Sequence, residues 1–177
     1  MLHVDINEFL SGQLHREELL FNWAKHNVIP GFTEVQEGGW EHWMQNSFFA
    51  WLAEYYGRAI VDMRREVGVY ENLDQRVDWL FNRSATPDDP GPMFVVELKA
   101  QTPKHTRSGF LRLIHNDINK LTPSTKLKPD FRSARRICLV GVIHSSMEDS
   151  LTAEGFGPVV YPQDEGRYMF MSKEIVD

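Results

Sequence analysis

Two stretches near the middle of the chain carry charged side chains where the surrounding residues are apolar: Asp78 in QRVDWLFN, and Glu97 with Lys99 in MFVVELKAQ. Met93, Phe94, Val95 and Val96 follow the turn-forming ATPDDPGP and predict a strand that enters the protein interior. Side chains alternate across a strand, so Glu97, Lys99 and Gln101 share one face, with neighbours about 6 to 7 Å apart. Asp78 interrupts the preceding strand in the same way, and adjacent strands bring such carboxylates together. Two close carboxylates repel unless they share a proton or a cation, and hard oxygen donors of this kind suit Mg²⁺ or Mn²⁺. A neighbouring lysine stabilises the charge that builds up on a phosphorane-like transition state and favours ionisation of an attacking water. This is the set that metal-dependent phosphodiester hydrolysis requires. The competing reading is a structural Glu97 to Lys99 pair on an edge strand, or an Asp78 to Lys99 salt bridge.

The elements that position these residues follow from periodicity. EELLFNWAKHNVI has helical spacing ahead of the turn PGF, and GGWEHWMQNSFFAWLAEYYG predicts a second helix with Glu41, Gln45, Phe48 and Leu52 along one edge. From Ala59 the pattern changes to strands, AIVDMRREVGVY, QRVDWLFN and MFVVELKAQ, joined by connections short enough for an antiparallel meander. SGFLRLIHNDINKLT then predicts a helix with Phe110, Leu113, Ile114, Ile118 and Leu121 on its apolar stripe, and ICLVGVI a fully buried strand. A helical crossover of this kind makes the two flanking strands parallel neighbours. The tail predicts a short helix near SMEDSLTAE and two weak strands, around GPVVYP and RYMFMS.

Asp78, the Glu97-Leu98-Lys99 triplet and the order helix, three strands, helix, strand together resemble the PD-(D/E)XK phosphodiesterase superfamily, the restriction-endonuclease-like nucleases. The resemblance covers residues 40–144. It implies an α/β (α+β) fold with an αβββαβ core, a mixed central sheet flanked by helices, within a single domain of residues 1–177. Residues 1–39 then form an accessory helical N-terminus and residues 145–177 a C-terminal extension with short strands. It also implies an Mg²⁺-dependent (or Mn²⁺-dependent) endonuclease in which Asp78, Glu97 and the carbonyl of Leu98 hold the metal. Glu41 on the first helix completes the shell, with Glu54 the weaker candidate, and Lys99 orients the attacking water. The segment NDINKL is similar to the helix after the third strand, in which Asp117, Lys120 and Leu121 recur. The residue before Asp78 is Val77, where the superfamily's name has proline.

Charge distribution bears on partners. The net charge is −6, but residues 98–136 carry ten Lys/Arg against two Asp, a local balance of +8, between an acidic block of −9 before it and one of −5 after it. The basic block predicts contact with a phosphate backbone through Arg107, Arg112, Lys120, Lys126 and Lys128, with Gln101 a further candidate substrate contact. DNA is favoured over RNA, and 5′-phosphate ends and a homodimer that cuts both strands follow from the resemblance. The acidic blocks support a different class: a non-catalytic interaction or regulatory protein of the same fold whose acidic surfaces face a protein partner or inhibitor.

Other chemistries are excluded more simply. The single cysteine, Cys138 in ICLVGVI, permits neither an internal disulfide nor a cysteine-rich zinc site. His42 beside Glu41 lacks the H-E-x-x-H spacing, and no P-loop, G-x-S-x-G or G-x-G-x-x-G is present. His105 and His115 flank the basic helix. Of the five tryptophans, which could stack bases, four lie in helical aromatic stripes, where core packing is their expected role. No apolar run approaches the roughly 20 residues that span a bilayer, and MLHVDINEFL has no signal-peptide pattern, so a cytoplasmic protein is expected.

Overall fold

The computed structural model describes residues 3–5, 41, 45, 62–86, 91–160 and 169–176, and among these six strands and two helices can be given bounds. The order is β1 (Met63–Val67), β2 (Val77–Phe81), β3 (Phe94–Ala100), α1 (Arg107–Leu121), β4 (Arg135–Val142), α2 (Glu148–Ala153), β5 (Gly157–Val160) and β6 (Met169–Ile175), with single 3₁₀ turns at Pro129–Phe131 and Ser145–Met147. The class is α+β, with one mixed sheet in the order β1-β2-β3-β4-β6-β5. β1, β2 and β3 form the expected antiparallel meander, and β4 pairs in parallel with β3 after the α1 crossover, Glu97 opposite Cys138 and Lys99 opposite Val140. The C-terminal strands continue this sheet, β6 pairing antiparallel with β4 and β5 closing the edge.

The pleat sorts the core. Leu80, Val95, Cys138, Val140, Val142 and Met171 belong to one apolar cluster with Phe110, Ile114 and Leu121 of α1. Paired residues point the same way, so Glu97 and Lys99 share the α1 side of β3 with Val95. Trp79, Phe81, Phe94, Val96, Leu98, Ile137, Leu139 and Phe170 alternate with them and are equally buried, with Phe81 stacked on Phe94 at 4.5 Å. Trp79, the tryptophan outside the helical stripes, is thus a core residue.

α1 begins at Thr106, whose hydroxyl accepts from Gly109 N, and ends where Thr122 and Pro123 leave the helical conformation. Its buried stripe is Phe110, Ile114, Asp117 and Leu121, a helical repeat with one carboxylate in it. Asn82, just past β2, has φ of 55° and ties the chain ends of this region together: its amide donates to the carbonyls of Val4, Gly91 and Pro92, and its oxygen accepts from Val4 N. A Cβ at Gly91 would lie 2.8 Å from Val4 O, so this close approach requires glycine.

Of the accessory N-terminus of residues 1–39 only residues 3–5 are described, and its expected helix at EELLFNWAKHNVI, the second helix apart from Glu41 and Gln45, and Glu54 lie outside the described residues. Glu41 and Gln45 are themselves helical. Among the described residues no helix is long and apolar enough to cross a membrane.

Candidate active site

The site begins where the β2–β3 ladder ends. Its last pair at this end is Trp79 with Val96. Gln101 N donates to Gly141 O of β4, so by alternation the N–H groups of Leu98 and Ala100 face the opposite edge, beyond the reach of β2's backbone. Buried backbone donors need partners. Two carboxylates supply them: Asp78 Oδ2 accepts from Leu98 N at 2.6 Å and Glu41 Oε2 accepts from Ala100 N at 2.9 Å. The Leu98 carbonyl lies on the same edge as its N–H. Gln45, one helical turn from Glu41, donates to Asp78 Oδ1 at 2.8 Å and accepts from Arg65 Nη2 at 3.3 Å.

On the α1 side of β3, charges alternate. Lys99 Nζ lies 3.0 Å from Glu41 Oε1 and 3.4 Å from Asp117 Oδ2. Lys120 Nζ lies 2.7 Å from Asp117 Oδ1 and 3.2 Å from Glu97 Oε2. Tyr70, wholly buried after β1, donates its hydroxyl to Glu97 Oε1 at 2.8 Å. Glu41, Asp78, Glu97 and Asp117 are thereby linked through two ammonium groups, two amide N–H groups and a phenol.

Burial dominates the protonation of this cluster. Removal from water pushes Glu97 up to about 8, with the Asp78 and Asp117 charges adding to the shift and Lys120 and the Tyr70 hydrogen bond opposing it. Burial likewise pushes Asp78 up to about 6, against the Leu98 N–H, with Glu41 raising it further and Lys99 opposing. Burial pulls the Lys99 amine down, but Glu41, Asp117 and Asp78 outweigh it and the net direction is up. Lys120 also moves up, its burial outweighed by Glu97 and Asp117. Tyr70 is pushed well above the usual phenol range by burial and then by Glu97, so it stays a donor.

Among the described residues no three carboxylate, imidazole or thiol groups converge into a ready-made metal shell. The lysines stand between the carboxylates. The donor chemistry nevertheless fits a hard divalent cation. Every donor is an oxygen, and Asp78 and Glu97 are held in a desolvated setting that resists their ionisation until positive charge is supplied. Glu41, Asp78, Glu97 and the Leu98 carbonyl are the groups that could hold it.

The remaining candidates divide. Gln101 is buried, and its carboxamide oxygen accepts from Ile143 N and His144 N at the end of β4. Lys120 is turned into the carboxylate cluster, and the Lys128 amine donates to the Gly68 carbonyl. Arg107, Arg112 and Lys126 are exposed. Elsewhere in the basic block Arg135 forms a bidentate pair with Glu174, Arg132 an ion pair with Glu71, and Arg136 a hydrogen bond to Leu121 O. His105 stacks on Phe110, and its ring is held below the usual imidazole range by burial and is close enough to feel Glu41 and Lys99. His115 pairs with Glu154 at 3.3 Å.

Tyr70 had no signal in the sequence, because a tyrosine after a strand reads as core. Asp117 did have one: it completes the i, i+4, i+7, i+11 repeat of the α1 stripe. No protein-family model, curated protein or solved structure matches the chain.

Proposed function

We propose that the protein is a metal-dependent nuclease of the PD-(D/E)XK kind, hydrolysing phosphodiester bonds of DNA in preference to RNA and leaving 5′-phosphate ends. On this reading the helical segment with Glu41 and Gln45, β1–β3, α1 and β4 make up the αβββαβ core. The observation that carries it is the meeting of Glu41, Asp78, Glu97 and Lys99 at one end of β3, two of the carboxylates bonded to alternate N–H groups of that strand, those of Leu98 and Ala100. A merely structural ion pair needs one carboxylate for Lys99, whereas this end of the strand gathers four carboxylates and two lysines.

Asp78, Glu97, Glu41 and the Leu98 carbonyl would hold Mg²⁺ or Mn²⁺. Such an ion, when bound, lowers the pKa of water and offsets negative charge on the phosphate. The protein's own groups supply the rest. Lys99 lies on the same face of β3 as Glu97, and its raised pKa keeps it an ammonium at neutral pH, so it orients water and stabilises charge instead of accepting a proton. Gln45 and Leu98 N fix both oxygens of Asp78, and Tyr70 fixes one oxygen of Glu97. Arg107, Arg112 and Lys126 offer exposed charge to the phosphate backbone.

The test is incubation of plasmid, single-stranded DNA and RNA with the protein in Mg²⁺, Mn²⁺ or EDTA. Wild type should cut DNA in either metal and in neither case with EDTA. Asp78→Ala and Glu97→Ala should abolish cutting and metal binding together. Lys99→Ala should retain metal by calorimetry while cleavage slows about a hundredfold. A wild type that cuts no nucleic acid in either metal ends this reading and leaves the non-catalytic interaction protein.

A further inference from the structure

Asp117 stands in the apolar stripe of α1, is 5 % exposed, and is buried beside Phe110, Ile114 and Leu121. A carboxylate at such a position needs partners for both oxygens. Oδ1 has one, the Lys120 amine at 2.7 Å. Oδ2 is buried and makes no hydrogen bond to a described residue, yet it lies 3.4 Å from Lys99 Nζ, which instead donates to Glu41 at 3.0 Å. The carboxylate is thus aimed at Lys99 without binding it closely.

From this geometry we infer that Asp117 is the positioning residue for Lys99, a second tether that holds the amine at the end of β3 once Glu41 is taken from it. The inference rests on the nuclease reading for what Lys99 does, but not for the tether itself. Glu41 has two duties in this structure, Ala100 N and Lys99, and a cation bound by Glu41 would compete with the amine for Oε1. Were Glu41 the sole anchor, metal binding would free Lys99 at the moment its charge is needed. Asp117 prevents this. Its Oδ2 needs only a short approach by the amine to form the charge-assisted bond it lacks, and its Oδ1 is kept in register by Lys120, which bridges to Glu97.

The tether can be read without metal or substrate, from the rate at which a lysine-acylating reagent modifies Lys99, measured by mass spectrometry against exposed Lys104 as internal reference. Glu41→Gln removes the first anchor and should raise Lys99 labelling by no more than about twofold, because Asp117 takes the amine. Adding Asp117→Asn in that background should raise it about tenfold further, the loss of one charge-assisted hydrogen bond. Asp117→Glu in the same background should restore much of the protection, which loss of packing alone would not predict. Asp117→Ser serves if the asparagine variant does not fold, with circular dichroism as the check. Less than a twofold effect of removing the Asp117 charge in the Glu41→Gln background overturns the inference. In the metal-loaded protein, Asp117→Asn alone should lower kcat about tenfold with KM and Mn²⁺ affinity unchanged; unchanged kcat also overturns it. If wild type cuts nothing, the nuclease reading fails, and the labelling still decides the tether.

Discussion

Glu97 is 2 % exposed and shares its surroundings with Asp78 and Asp117, so its ionisation is opposed by burial first and by like charge second. Its carboxyl is pushed up to about 8 and that of Asp78 up to about 6, both above the ordinary carboxylate range. Between roughly pH 4 and pH 8 the folded protein therefore binds more protons than the unfolded chain, and unfolding free energy falls as pH rises. The stabilising effect of these protons is complete below the unfolded values and is lost as pH passes through 6 and then 8. Urea midpoints of the metal-free protein should fall from pH 5 to pH 8.5, and Glu97→Gln should flatten the upper part of that fall. Saturating Mg²⁺ should raise the midpoint most at the alkaline end, since it binds the ionised carboxylates of the folded state. A midpoint that rises with pH in the metal-free protein would contradict the assignment. At this scale the site was partly legible. Asp78, Glu97 and Lys99 stood out as charges in a period-two apolar pattern, while helical spacing put Glu41 only on a helix edge and its place beside them came from the resemblance. Asp117 was legible as the carboxylate in the α1 stripe and in the NDINKL segment, but its approach to Lys99 was not. Tyr70 was hidden because a buried phenol differs from a core phenylalanine only by what its hydroxyl meets.

The strand meander, the crossover helix and the parallel strand were legible for a simple reason: each is a local pattern closed by a short connection. The order β4-β6-β5 was not. Which strand occupies the open edge of β4 depends on pairing between residues 27 to 39 apart in the chain, and GPVVYP and RYMFMS carry no mark of their partner. Gln101 shows the same limit in one residue. From its place at the end of β3 it shares a face with Lys99 and reads as a polar group at a strand exit, a candidate for substrate. In the fold it closes the β3–β4 pair instead, its own N–H donating to Gly141 O and its side-chain oxygen accepting from Ile143 N and His144 N. Gln101→Ala would leave backbone donors at the end of β4 without that acceptor. It should destabilise the protein by about 1 kcal/mol, visible in a urea titration, because two part-buried donors lose a shared acceptor while the exposed His144 N can turn to water. Gln101→Glu keeps an oxygen acceptor and should recover part of this, more at a pH that protonates the added carboxyl, because the side chain is buried.

At the scale of the whole molecule the +8 block between residues 98 and 136 is less available than its sequence suggests. Lys99 and Lys120 neutralise the carboxylate cluster, Arg132 and Arg135 pair with Glu71 and Glu174, Arg136 donates to Leu121 O, and Lys128 donates to Gly68 O. Lys104, Arg107, Arg112 and Lys126 are left exposed, with no ion pair to a described residue. Each phosphate neutralised on duplex DNA contributes about −0.9 to the slope of log affinity against log salt, so these four support about −3.6 in total, where ten basic residues would support about −9. Binding measured by fluorescence anisotropy in Ca²⁺, across a series of salt concentrations, should give a slope near the smaller value. The two lysines after α1 should then separate. Lys126→Glu removes an exposed charge and should weaken DNA binding and flatten the slope by about one phosphate, leaving the urea midpoint unchanged. Lys128→Glu replaces the donor to Gly68 O with an acceptor, next to the backbone bond from Lys128 N to Val69 O. It should lower stability by about 1 to 3 kcal/mol. At temperatures where the variant stays folded, its salt slope should match wild type. Equal loss of affinity in both variants, with no change in stability, would mean that Lys128 faces phosphate and not the β1–β2 connection.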